Sequence, residues 1–221
     1  MIFADRSDAG RQLAAALADL AGSHDAVVLG IPRGGVAVAA EIARALQVPL
    51  DVFLTRKLGV PGHEELAFGA VAADGIRYLD LEIVRQAGLT VAEIDRITAD
   101  TLQLLQHRAG LYRAGRAPLR VEGRSTILVD DGIATGASFY AAVQALRQLH
   151  PAQIIAATPV APPSTAAWLR THVDRFVCPH TPAMFQAVGQ FYAAFPQLSD
   201  ADVMQLLAAA QPPANRERLF G

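Results

Sequence analysis

Thr126-Ile127-Leu128-Val129-Asp130-Asp131-Gly132-Ile133-Ala134-Thr135-Gly136-Ala137-Ser138 sets an apolar run against two adjacent carboxylates, then a turn of small residues. Phe139, Ala142, Val143, Leu146 and Leu149 follow with helical spacing. The stretch reads as strand, acidic edge, loop and helix. A strand this apolar suits a buried parallel sheet, and ligands of open α/β sheets bind at the carboxyl ends of such strands. Carboxylates accept from hydroxyls, and a ribose offers two vicinal ones. The loop Gly132–Ser138 has no long side chain except Ile133, so its amides can close around an oxyanion at a helix N-terminus. Thr135 and Ser138 add hydroxyl donors. Phosphate at the loop and a diol at the acids match a 5-phosphoribosyl group.

The plainer reading is a strand ending in a polar turn, with Thr135 or Ser138 only capping the next helix. Other phosphate binders fit less well. Receiver domains place paired aspartates after the first strand, and dinucleotide folds place their acid about 20 residues after the glycines rather than before them. No G-x-x-x-x-G-K-[ST] occurs in the chain.

On these residues the segment resembles the PRPP-binding motif of type I phosphoribosyltransferases, with Gly132 where many members carry a larger aliphatic residue or Ser. Ile31-Pro32-Arg33-Gly34-Gly35, Arg56-Lys57-Leu58-Gly59 and Phe195-Pro196-Gln197 extend the resemblance over nearly the whole chain, to a bacterial subgroup of predicted phosphoribosyltransferases. The resemblance implies an α/β fold with a mainly parallel five-stranded sheet flanked by helices. It also implies an inserted lid at 59–124 and a C-terminal hood at 179–210, followed by a tail at 211–221. By the same resemblance Asp130 and Asp131 hold the ribose diol, and Gly132, Ile133, Ala134, Thr135, Gly136, Ala137 and Ser138 hold the 5′-phosphate. Arg33, Gly34 and Gly35 form the pyrophosphate loop, and Arg56 and Lys57 grip pyrophosphate, with Asp130, Asp131 and Lys57 as the catalytic set. The implied activity is displacement of pyrophosphate from PRPP by a nitrogen nucleophile such as a nucleobase. Mg²⁺ would bridge the diphosphate near Asp130 and Asp131, and a homodimer is the expected assembly. A PRPP- or nucleotide-sensing regulator without turnover is the alternative.

Composition sets the frame. The 221 residues are 52% hydrophobic and 18% charged, which suits one globular domain with an elaboration. A net charge of −2 and a pI near 6.3 argue against a general nucleic-acid coat protein. The single cysteine, Cys178, leaves no internal disulfide or zinc-ligand spacing, and it ends an apolar strand pattern as a core thiol. The N-terminus lacks a signal-peptide pattern and no apolar run reaches membrane length, so a cytoplasmic protein is expected. Lys57 is the only lysine among 19 basic residues. Arginine substitutes for lysine on solvated surfaces but not where a compact point charge is required, which draws attention to Lys57.

Along the chain, a helix is expected from Ser7 or Asp8 to near Gly22, strands at Ala26–Ile31 and Leu50–Thr55, and a helix at Gly34–Leu46. The turn before that helix has no Ser, Thr, Asp or Asn, so its orphan amides are open to an anion. Asp74-Gly75 marks a hairpin between Leu66–Ala72 and Ile76–Leu79. Thr90-Val91-Ala92-Glu93 is a capping box for a long helix to about Ala114, with Ile94, Ile97, Thr101, Leu104 or Leu105, and Leu111 on its buried face. Strands at Gln153–Thr158 and Arg175–Cys178, and helices at Pro163–His172 and from Ser199, complete the reading. The basic run Arg108, Arg113, Arg116, Arg120 and Arg124 reads as a solvated face. The six histidines show no metal spacing, and His63, Glu64 and Glu65 read as a surface cluster. Phe185, Phe191, Tyr192 and Phe195 are read chiefly as helical core packing, with base stacking as the alternative.

Overall fold

A computed structural model describes residues 2–210; the expected tail at 211–221 lies outside them. Strands β1 (Ala26–Gly30), β2 (Leu50–Val52), β6 (Ser125–Val129), β7 (Gln153–Ala157) and β8 (Arg175–Val177) form a five-stranded sheet in the order β2-β1-β6-β7-β8. Every pairing in it is parallel. Helices α1 (Arg6–Ala16), α2 (Gly34–Leu46), α5 (Ala137–Arg147) and α6 (Pro163–Arg170) follow or flank these strands. Val27, Val28, Leu29, Ile127, Leu128 and Val129 are buried, as strands covered on both faces require.

The register decides what meets what. Gly30 is level with both Val52 and Val129, so three chains leave the sheet at one edge. The Ile31 amide donates to the Val129 carbonyl at 2.9 Å, and the Phe53 amide to the Gly30 carbonyl at 3.0 Å. Pro32–Gly35, Asp130–Ser138 and the segment leading to Arg56 and Lys57 therefore emerge together.

Between β2 and β6 lies a second sheet, antiparallel, in the order β3 (Thr55–Val60), β4 (His63–Ala72) and β5 (Arg77–Leu79). Helices α3 (Leu81–Gln86) and α4 (Val91–Arg113) follow it. This insertion is packed rather than free-standing. Leu58, Phe68, Val71, Ile94, Leu105 and Tyr112 share one apolar cluster with α1, α2 and β1.

Several sequence expectations need correction. Leu50–Thr55 is not one strand: β2 ends at Val52, and buried Phe53 and Leu54 carry the chain into β3. Both bend residues point into the core, so no polar break marks the turn. Helix α1 stops at Ala16, and a short 3₁₀ turn at Ala18–Leu20 takes up the remainder. Helix α3 has no counterpart among the expected elements, although Asp80 caps it by accepting from the Glu82 and Ile83 amides. On α4 the capping box is present, but Leu104 and Leu111 are exposed. Ile94 and Leu105 are buried as expected, and the stripe continues through Ala109 and Tyr112 rather than Leu111. The basic run is not one solvated face, because Arg113 is buried on Asp51 and Asp74 at 3.1 Å from each. Arg124 donates to the carbonyls of His24 and Ala26.

Helix α7 (Asp200–Ala209) starts at a Ser199 cap, as the sequence suggests. The aromatics before it are core-forming but not α-helical. Phe191 closes a 3₁₀ turn, and with Phe3, Ala9, Val160 and Tyr192 it makes a third cluster. Cys178 is half-buried, and burial pushes its thiol up to about 11, the behaviour of an inert core thiol.

Candidate active site

Asp130 and Asp131 stand where β6 ends. The Asp131 amide donates to Asp130 Oδ1 at 2.9 Å, and Arg6 Nε donates to Asp131 Oδ2 at 2.7 Å. The two acids are therefore in different environments. Burial, reinforced by the adjacent Asp131 charge, pushes Asp130 well above the ordinary carboxylate range. Asp131 faces a guanidinium.

The loop after the acids is held from outside. Ile133 is buried and donates its amide to the Val160 carbonyl at 3.0 Å, so that amide is not available to a phosphate. Thr165 donates its hydroxyl to the Ala134 carbonyl at 2.7 Å. Gly136 caps α5 in the left-handed region (φ 82°), a conformation that favours glycine and brings no side-chain cap, and only a long contact of 3.5 Å joins the Ala137 amide to the Thr135 hydroxyl. Thr135, Ala137 and Ser138 are exposed at its open N-terminus. Gly132 has a local reason: a Cβ there would collide with Val188 Cγ1, so the C-terminal segment packs directly on the motif.

Arg33-Gly34-Gly35 forms the turn into α2, again without a side-chain cap, and the Pro32–Arg33 peptide is cis. A Cβ at Gly34 would collide with Asp131 Oδ2, and one at Gly35 would meet the Val129 carbonyl at 2.5 Å. Only glycines let this turn rest on the acidic pair. Arg33 Nη1 lies 3.9 Å from Asp200 Oδ1, which accepts from the Tyr112 hydroxyl at 2.6 Å. Burial, with Asp200 beside it, pushes Tyr112 up to about 12, so it stays a donor.

Arg56 and Lys57 lie inside β3 rather than at the end of β2, yet still beyond the carboxyl edge of the main sheet. A groove of about 500 Å³ brings them together with Ile31, Gly59, Glu64 and Ser138, closed on one side by Ile97, Asp100, Thr101 and Leu104 of α4. A smaller cavity of about 320 Å³ adjoins Arg6, Arg33, Gly34, Phe195 and Gln197. The larger cavity of about 610 Å³, lined by His24, Pro49 and Ala210 among others, lies where β1 and β2 begin, away from these residues. Ligands of parallel sheets bind at the opposite edge.

Sequence reasoning passed over Arg6, Thr165 and Asp200, and read Tyr192 only as packing or base stacking, not as a donor to Asp131. Their partners lie far along the chain (125 residues separate Arg6 from Asp131), so no local pattern announces them.

The two carboxyl groups also lie within hydrogen-bond reach of each other. No cluster of three or more His, Cys, Asp or Glu side chains forms a metal cage among those residues. One or two carboxylate oxygens, with diphosphate and water supplying the rest, is a common donor set for Mg²⁺, and the pair fits it.

The model of the phosphoribosyl transferase domain family matches residues 3–195, and the chain belongs to that family. Two proteins of Mycobacterium tuberculosis, named "Putative phosphoribosyl transferase MT0597" and "Putative phosphoribosyl transferase Rv0571c", are each 45% identical over 99% of this chain. The chain spans 52% of the length of each. The crystal structure of TT1426 from Thermus thermophilus superposes with a TM-score of 0.87 at 41% identity, covering 96% of this chain and all of that one. Among the described residues, no helix is long and apolar enough to cross a membrane.

Proposed function

We propose that the chain is a cytoplasmic phosphoribosyltransferase that transfers the 5-phosphoribosyl group of PRPP to a nitrogen nucleophile, with release of pyrophosphate. The observation that carries this reading is the meeting of three features at one sheet edge. These are the acidic pair at the end of β6, and the α5 N-terminus at Ser138 and the Arg56–Lys57 segment, which share one groove.

The open N-terminus of α5, with Thr135 and Ser138, would hold the 5′-phosphate through amides and hydroxyls. The acidic pair would accept from the ribose hydroxyls and stabilise positive charge developing on the ring. Arg33, Arg56 and Lys57 would take up charge appearing on the leaving group, and each such contact is worth about 2.7–4 kcal/mol in a transition state. Asp130 and Asp131 would hold Mg²⁺, which would supply Lewis-acid stabilisation of charge on the leaving group. The β3–β4 hairpin, with α4 behind it, would keep water from the oxocarbenium-like centre. A homodimer is the proposed assembly.

The test is a panel of nucleobases and small amines with PRPP and Mg²⁺, read as pyrophosphate release. Release with at least one acceptor supports the enzyme. PRPP binding with silence across the panel would replace it with a PRPP-binding regulator.

A further inference from the structure

Arg6 sits in the first turn of α1, outside every motif that marks the site, yet its guanidinium makes three contacts, one to the acidic pair and two to the C-terminal segment beside it. Nε donates to Asp131 Oδ2 at 2.7 Å, and Nη1 donates to the Pro196 carbonyl at 2.8 Å. The guanidinium carbon lies 3.8 Å from the centroid of the Phe195 ring. Tyr192 stacks on that ring with centroids 4.8 Å apart, and its hydroxyl donates to the Asp131 backbone carbonyl at 2.5 Å. The Arg6 and Asp131 side chains are 10% and 15% exposed. The Gly34 turn rests on the same pair: a Cβ there would lie 3.0 Å from Arg6 Nε.

Three parts of the chain thus converge on the Arg6–Asp131 pair: α1, the Arg33–Gly34 turn, and the Tyr192–Pro196 segment. Arginine is suited to this because its planar fork reaches a carboxylate and a carbonyl at once while its face covers an aromatic ring. A lysine, with one compact ammonium, cannot do all three.

We propose that Arg6 is a positioning residue of the phosphoribosyl site, fixing Asp131 and, through it, the seating of the Arg33–Gly34 turn and the Phe195–Pro196 segment against the acidic pair. The inference rests on the phosphoribosyl reading of that site. It makes the two acids differ in the kind of partner they hold: Asp130 Oδ1 accepts a backbone amide, Asp131 Oδ2 a guanidinium. Each acid commits one oxygen to the protein, but only Asp131 is held by a side chain, that of Arg6. Arg6 touches no substrate in this scheme; it sets the distance between the turn that receives the diphosphate and the acids that receive the ribose. Misplacing bound groups by about 1 Å costs on the order of 10²-fold in rate.

The experiment is calorimetry with PRPP and Mg²⁺ on the full chain, beside thermal melts, for wild type, R6K, R6M, D131N and R6M/D131N. R6K keeps the charge and is the variant expected to remain folded if R6M does not. The expected result is an R6K protein folded at the assay temperature whose PRPP affinity is lower by on the order of tenfold or more. The double variant should bind no more weakly than the worse single variant, because both changes remove one coupled contact. PRPP bound equally by R6K and wild type overturns the proposal and leaves Arg6 a tether for α1, as does a loss confined to unfolded variants. Wild type that fails to bind PRPP overturns the phosphoribosyl reading itself, and this proposal with it.

Discussion

Asp130 carries opposing demands. Loss of hydration and the neighbouring Asp131 charge favour its protonated form in the fold, whereas a ribose or Mg²⁺ ligand favours the carboxylate. The stability consequence follows from proton linkage. In the unfolded chain Asp130 releases its proton at the ordinary carboxylate value, and in the fold it keeps the proton to higher pH. Between those values the native state binds more protons, so stability falls as pH rises through that window. Asp130→Asn removes the penalty while leaving an acceptor for the Asp131 amide. Its melting temperature at pH 7 should exceed that of wild type, where ~1 kcal/mol reads as about 2–4 °C, and the gap should close towards pH 4. Calorimetry should show PRPP binding abolished in the same protein. A variant melting no higher than wild type at pH 7 would contradict the assigned strain. Unchanged PRPP affinity would remove Asp130 from the site.

Among the elements, α4 shows best what sequence patterns reveal and what they hide. Its start is legible because Thr90 and Glu93 satisfy each other's orphan groups within four residues, and the structure has both halves of that box. Its end fixes the insertion to the main sheet through contacts no window contains. Arg113 Nε meets both oxygens of Asp51, Nη1 meets Asp74 at 3.1 Å, and Nη2 donates to the Val52 carbonyl at 3.3 Å. The Leu119 amide also donates to Asp51. Arg113→Met should therefore cost about 3–5 kcal/mol in urea unfolding, because Asp51 is left charged, buried and without its partner. Arg108→Met, at an exposed position on the same helix, should change stability by less than about 0.5 kcal/mol. The same contrast holds elsewhere. Helix α2 is readable to its ends, since an apolar stripe and an uncapped glycine turn are local facts. Strand β3 is not, since Phe53 and Leu54 continue the apolar pattern straight through the bend.

For the whole molecule, the chain's three loop systems share one sheet edge, and the insertion between them belongs to the same core as β1. Ligand that bridges these loops should therefore report on global stability rather than on one mobile flap. PRPP with Mg²⁺ at 100 times its dissociation constant should add about 2.7 kcal/mol, read as a melting shift of about 5–10 °C. Lys57→Ala separates binding from chemistry within that experiment. Its side chain is expected to act on charge that appears only as pyrophosphate leaves, so the PRPP-induced shift should be nearly retained while pyrophosphate release falls by about 10²–10³. Equal losses in the shift and in turnover would make Lys57 an ordinary ground-state contact. The single lysine would then need no explanation beyond the arginine-rich composition of the chain.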